Sequence, residues 1–274
     1  MKNEILRRLS ALALGLALLL NAAPLPQAFA VEDDTDASSS DSADSTDTTD
    51  KTVVTTADSD PTVTAAAANA PALDATAALL VSPESDMVLY EKNADEKRYP
   101  ASTTKIMTAL LTLENVSDLS AVVTAEASDF ENVTADSSNA GIKLGEQVTV
   151  KDLLYALMLP SANEAAYMLA RHVSGSWEQF VDMMNERAAA LGCTNTHFVN
   201  ANGLPDPNHY TSAHDMALIM QECIKNETFC RIESDLTYTI QPTNMTSTPR
   251  DLQNHHALLF QDGQWGYKGA ADYY

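Results

Sequence analysis

Tyr99-Pro100-Ala101-Ser102-Thr103-Thr104-Lys105-Ile106-Met107-Thr108-Ala109-Leu110-Leu111 reads as a helix with an abrupt start. Pro100 stands just before the first turn, where its missing N–H costs nothing. Ile106, Met107, Leu110, Leu111 and Leu113 recur at helical spacing, which predicts a largely buried helix. Ser102 and Lys105 are three apart and share one face. A serine hydroxyl is a poor nucleophile until a neighbour takes its proton. A lysine held among apolar residues, near the positive end of a helix, loses affinity for its own proton and can act as that base. The same helix end favours an oxyanion forming beside Ser102. Ser-x-x-Lys also arises by chance in many chains. What sets this one apart is the buried helix, because a lysine on an apolar face needs a reason to be there.

About sixty residues on comes Leu159-Pro160-Ser161-Ala162-Asn163-Glu164-Ala165-Ala166. It lies in the break between two apolar helices, Lys151 to Leu159 and Asn163 to Val173, and Pro160 ends the first. A hydroxyl and an amide two apart in a tight turn can both point into one cleft. Ser161 is then placed to relay a proton to a leaving group, and Asn163 to hold a substrate amide and the Lys105 side chain. The alternative is that Ser161 or Asn163 caps the following helix.

The flanking elements set the fold class. Ala77–Ser82 and Met87–Glu91 are short apolar runs joined by Pro83-Glu84-Ser85-Asp86, a hairpin signal. Val122-Val123-Thr124 is a strand candidate. Gly141 to Val150 has glycine punctuation and alternation, and reads as strand, turn, strand. Helices are expected at Trp177–Leu191, with Gly192 as C-cap, and at Thr211–Ile224. Thr237-Tyr238-Thr239-Ile240 is a further strand. Strands, then several helices, then strands predict an α+β fold, an antiparallel sheet with a helical cluster.

The 274 residues carry a formal charge of -22, the wrong sign for a nucleic-acid partner. Met1 to Ala30 reads as a secretory signal. Lys2, Arg7 and Arg8 precede the apolar run Leu9 to Leu20, and Ala28-Phe29-Ala30 is a small-x-small cleavage site. A retained N-terminal anchor is the alternative, and the run is short for a membrane span. No Cys near the cleavage site supports a lipoprotein anchor. Residues 31–71 hold ten acidic residues between Glu32 and Asp60, a single Lys51 and no aromatic residue. Such a composition cannot offset its ordering entropy, so a disordered acidic spacer is expected, with the folded domain at 72–274. Cys193, Cys223 and Cys230 match no metal-ligand spacing. Buried thiols are the preferred reading, with a Cys223–Cys230 disulfide as the alternative. His209, His214 and Asp215 suit a structural role at a helix start better than a metal site, and His255-His256 reads as a loop pair. Nothing in the sequence asks for a cofactor or a metal ion.

Taken together, the two motifs resemble the serine penicillin-recognising enzymes, specifically the secreted D-alanyl-D-alanine carboxypeptidases of low molecular mass, peptidase family S11. The flanks agree: Val88-Leu89-Tyr90-Glu91-Lys92-Asn93-Ala94 before the first motif and Asp152-Leu153-Leu154-Tyr155-Ala156-Leu157-Met158 before the second. So do Phe198-Val199-Asn200-Ala201-Asn202-Gly203-Leu204-Pro205 and His209-Tyr210-Thr211-Ser212-Ala213-His214-Asp215. The resemblance covers about Ala72 to His256 and implies a serine β-lactamase/transpeptidase-like fold. It implies acylation of Ser102 with Lys105 as base, second-motif roles for Ser161 and Asn163, and hydrolysis of the acyl-enzyme by water. The implied partners are peptidoglycan stem peptides ending in D-Ala-D-Ala, with β-lactams as covalent inhibitors. The implied location is extracytoplasmic, with no membrane anchor seen beyond the signal peptide. The rival readings are a non-catalytic wall-binding relative and a β-lactamase-like hydrolase. The third family motif, Lys-Thr-Gly, has no clear counterpart. Tyr267-Lys268-Gly269-Ala270 is the nearest candidate, and a chain incomplete at its C-terminus is the preferred account over a degenerate motif.

Overall fold

Nine consecutive buried residues, Thr104 to Thr112, make the helix Thr104–Asn115 (α1) the axis of the molecule. A 3-10 turn, Ala101–Thr103, leads into it from Pro100. The computed structural model describes residues 72–134, 136–256 and 259. The expected leader, the acidic segment and Lys268 lie outside the described residues.

Five helices follow α1: Val150–Met158 (α2), Asn163–Ser174 (α3), Trp177–Ala190 (α4), Ala213–Cys223 (α5) and Glu227–Ser234 (α6). All five pack on α1, because its apolar positions point in every direction except toward the site. Their starts are written locally. Thr149 and Asp152 close a capping box on α2, Asp152 N–H to Thr149 Oγ1 at 3.0 Å and Thr149 N–H to Asp152 Oδ2 at 3.0 Å. Ser176, Ser212 and Asn226 cap α4, α5 and α6. The end of α4 is the expected glycine cap: Gly192 has φ +87°, and the Cys193 N–H reaches back to the Ala188 carbonyl at 3.0 Å.

The strands form three separate antiparallel pairs among the described residues. Ala78–Val81 (β1) pairs with Val88–Lys92 (β2) as the expected hairpin, resting on α5. Val122–Thr124 (β3) pairs with Gln147–Thr149 (β4), and Thr237–Ile240 (β5) with Arg250–Gln253 (β6). The α+β expectation stands, with the strands split into two-stranded pieces around the helices.

Two expectations at finer scale need correcting. The strand–turn–strand reading of Gly141–Val150 holds only for its second half. The first half is loop because side chains take its backbone N–H groups: Glu164 Oε1 accepts from Ala140 at 2.7 Å and Ile142 at 3.4 Å, and Glu146 Oε2 accepts from Lys143 at 2.9 Å. The helix α6 and the strand β6 were not anticipated. Each is short, and β6 offers one buried apolar residue, Leu252. The three cysteines are free and buried, the preferred reading over a Cys223–Cys230 pair.

Two long-range clamps position the site. Arg171 on α3 grips Asp129 bidentately, Nε to Oδ1 at 2.9 Å and Nη2 to Oδ2 at 2.8 Å, and also bonds the Thr124 carbonyl at 2.8 Å. The second clamp seats the loop 198–210 on α1. Thr108 Oγ1 donates to the Ala201 carbonyl at 2.7 Å, and Thr104 Oγ1 pairs with His209 Nε2 at 2.8 Å. Gly203, at φ +89°, comes so close to α1 that a Cβ there would lie 1.8 Å from the Ala101 carbonyl oxygen.

Both clamps predict measurable losses. Gly203→Ala adds a backbone clash and a disfavoured φ, and should cost on the order of 2–3 kcal/mol in urea unfolding. A variant as stable as wild type would show that this loop does not sit on Ala101. Asp129→Ala removes the bidentate partner of a guanidinium that keeps Glu126 and the Thr124 carbonyl, and should cost roughly 1–3 kcal/mol in the same assay. An unchanged midpoint would reduce the clamp to a surface contact.

Candidate active site

The 3-10 turn that leads into α1 carries Ser102, which is exposed, and the first turn of α1 carries Lys105, only 2% exposed. Helical spacing brings Lys105 Nζ to 3.2 Å from Ser102 Oγ. The amine also donates to the Asn202 carbonyl at 2.7 Å, so the loop 198–210 aims it. Burial lowers the Lys105 pKa to about 7, and the Glu164 carboxylate opposes part of that fall. An amine with that affinity spends much of its time neutral near pH 7, with a lone pair available to a hydroxyl proton. Ala101, just before Ser102, is held at φ +48°. That is a sparsely populated conformation for a residue with a Cβ, and costs on the order of 1–3 kcal/mol.

Ser161 and Asn163 lie in the break between α2 and α3, both almost fully buried. Ser161 takes φ +61°, and the following N–H, of Ala162, reaches back to the Ala156 carbonyl at 2.9 Å. This is the left-handed turn that usually ends a helix on glycine. A serine here gains a hydroxyl at the cost of strain. Its Oγ is buried and has no hydrogen-bond partner among the described residues. The capping alternative fails for both residues: the N-cap of α3 is Ala162, which has no side-chain cap, and Asn163 is the first helical residue. The expected bond from Asn163 to Lys105 is absent among the described residues. The amine bonds the Asn202 carbonyl and Ser102 instead.

Two contributors at the site, the Asn202 carbonyl and Gly203, have no role predicted from the sequence, and His209 has the structural role expected of it. The Asn202 carbonyl and Gly203 act through backbone, and the sequence signals them through an Asn- and Gly-rich turn within the Phe198–Pro205 stretch that carries part of the family resemblance. His209 is buried, with its pKa lowered to about 4 chiefly by burial. Its Nδ1 accepts from the Val199 N–H at 3.0 Å, so its Nε2–H faces Thr104 Oγ1. It is a neutral brace between loop and helix. Asp215 serves locally, accepting from the Asn195 N–H at 2.7 Å and Thr196 Oγ1 at 2.6 Å, while His214 sits at the surface beside Asp95. His255, expected in a plain loop, donates its Nδ1–H to the Leu159 carbonyl, two residues before Ser161.

Residues 64–270 match the family model for D-alanyl-D-alanine carboxypeptidase, peptidase S11. The chain is 35% identical over 206 residues to D-alanyl-D-alanine carboxypeptidase DacF of Bacillus subtilis (strain 168), covering 73% of this chain and 52% of that protein. It is 37% identical over 182 residues to the D-alanyl-D-alanine carboxypeptidase of Streptomyces sp. (strain K15), covering 62% of each. The chain thus spans about half to two thirds of the length of these relatives. Among solved structures, the Streptomyces K15 DD-transpeptidase superposes with a TM-score of 0.65 at 33% identity, covering 70% of this chain and 78% of that one. The D-alanyl-D-alanine carboxypeptidase DacD from Francisella tularensis gives 0.60 at 31% identity, covering 67% of this chain and 44% of that one. The match takes in Ser102, Lys105, the Ser161–Asn163 turn and the loop that aims the amine, and the chain belongs to the peptidase S11 family of D-alanyl-D-alanine carboxypeptidases.

Proposed function

We propose that this protein is a serine D-alanyl-D-alanine carboxypeptidase that removes the terminal D-alanine from peptidoglycan stem peptides. The observation that carries the reading is the buried Lys105 amine, 3.2 Å from the exposed Ser102 hydroxyl. Neutral Lys105 takes the Ser102 proton as Oγ attacks the carbonyl between the two D-alanines. The helix N-terminus favours the oxyanion that forms. The proton then passes to the departing amine, and the partnerless Ser161 hydroxyl is suited to relay it. Asn163 is suited to hold the substrate amide. Water, giving a proton to Lys105, attacks the resulting ester, and that proton passes to Ser102 Oγ as the shortened peptide leaves, restoring the hydroxyl and the neutral amine. The same Ser102 would open a β-lactam ring and remain acylated.

The substrate places the enzyme outside the cytoplasm, in keeping with the leader expected at 1–30 and a spacer at 31–71. Among the described residues no helix is long and apolar enough to cross a membrane.

Incubation with benzylpenicillin followed by intact-mass analysis tests the nucleophile. Wild type should gain one covalent penicilloyl group, and Ser102→Ala none. A folded wild type without an adduct would overturn the reading. The pH dependence has a definite sign. Lys105 must be neutral to act, so the acylation rate should rise with pH and level off above about 7. Lys105→Ala should lower it by roughly 10²–10⁴. A rate that falls as pH rises from 6 to 8 would exclude Lys105 as the base.

A further inference from the structure

Glu164, next to Asn163, is only 2% exposed. One carboxylate oxygen accepts from the Ala140 N–H at 2.7 Å and the Ile142 N–H at 3.4 Å. The other oxygen is buried and has no hydrogen-bond partner among the described residues. In the same place the Asn163 N–H donates to the Ser138 carbonyl at 2.9 Å. The 138–142 segment is therefore strapped to the turn that carries Ser161 and Asn163. A fully buried carboxylate is costly, and two backbone bonds could be satisfied by a neutral side chain. The charge itself needs a reason.

We propose that Glu164 is a positioning residue for acylation, its buried carboxylate strapping the 138–142 segment to the Ser161–Asn163 turn. This rests on the proposed role of Lys105 as base. Two cationic groups act against this carboxylate from other elements: Lys105 on α1 and Arg250 on β6. Arg250 is already ion-paired, Nη2 to Glu146 Oε1 at 2.9 Å, and that carboxylate also accepts from Thr243 Oγ1 at 2.8 Å. Among the described residues Lys105 has no ion pair, and its amine bonds the Ser102 hydroxyl and the Asn202 carbonyl. The Glu164 carboxylate opposes part of the fall that burial causes in the Lys105 pKa, while burial raises the pKa of Glu164 itself. Desolvation alone would push the amine toward permanent neutrality, leaving a weak base. An opposing carboxylate brings it back toward the pH at which proton transfer is most effective.

Glu164→Gln separates strap from charge, since a glutamine oxygen can still accept from Ala140 and Ile142. The Lys105 Cε signal can be titrated by NMR in protein labelled with carbon-13 lysine, and assigned by its loss in Lys105→Arg. This readout does not require acylation, so it stands whether or not the penicillin adduct forms. Removing a nearby negative charge makes protonation of the amine harder. The Lys105 midpoint in Glu164→Gln should therefore move down by about 1 pH unit or more, with thermal stability kept. Glu164→Ala should shift it likewise and also lower the melting temperature, because two backbone N–H groups lose their acceptor. An unmoved midpoint in Glu164→Gln would overturn the electrostatic role. A Glu164→Ala protein as stable as Glu164→Gln would overturn the strap.

Discussion

A lysine amine buried at the centre of the fold is the constraint that the rest of the molecule answers. Lowering its pKa from 10.5 to about 7 means that keeping it charged inside costs roughly 5 kcal/mol relative to water. That is a large share of the net stability of a domain this size. The surroundings can be read as compensation. The Asn202 carbonyl and the Ser102 hydroxyl give the amine partners, and Glu164 offsets part of the desolvation. The apolar wall needed to lower the pKa is the same one that packs five helices on α1. Core and active site are one body of side chains.

Strain gathers at the two motifs. Ala101 and Ser161 both sit in the left-handed region without being glycine, one beside the proposed nucleophile and the other bearing the unpartnered hydroxyl. Such conformations persist only where neighbours over-determine them. At Ala101 the neighbour is Gly203, pressed against its carbonyl. At Ser161 it is the Ala162 to Ala156 bond, with His255 on the carbonyl just upstream. Glycine would ease the Ser161 turn and remove the hydroxyl, so the sequence keeps the strained residue.

What could be read from the sequence was local. Apolar spacing gave α1 to α5, Pro160 and Gly192 marked two of their ends, and the turn Pro83–Asp86 gave the first hairpin. The Ser102–Lys105 pair was legible because helical geometry fixes neighbours three apart. What stayed hidden depends on residues far apart in the chain. The amine's second partner is a backbone carbonyl 97 residues away, and no side chain advertises it. Asn163 looked like the partner of Lys105 because an amide side chain is visible in a sequence, whereas a carbonyl belongs to every residue. The loop before Gln147 imitated a strand because alternation says nothing about which groups take the backbone N–H donors, and here Glu164 and Glu146 take them.

The polar residues of α1 show why the site cannot form in isolation. Thr104, Lys105 and Thr108 interrupt a buried helix, and each would be a liability without a partner. All three find one in the single loop 198–210: His209, the Asn202 carbonyl and the Ala201 carbonyl. That loop is in turn irregular backbone laid into the interior, and its carbonyls would be equally orphaned without α1. Helix and loop therefore satisfy each other across roughly a hundred residues of chain, and neither is stable alone. Local opening that frees the loop would strand the polar side chains of α1 at once, so the loop should open only with the helix, at close to the free energy of global unfolding. The loop that aims the base is held as rigidly as the core, which suits a reaction in which one hydrogen bond must point at one hydroxyl.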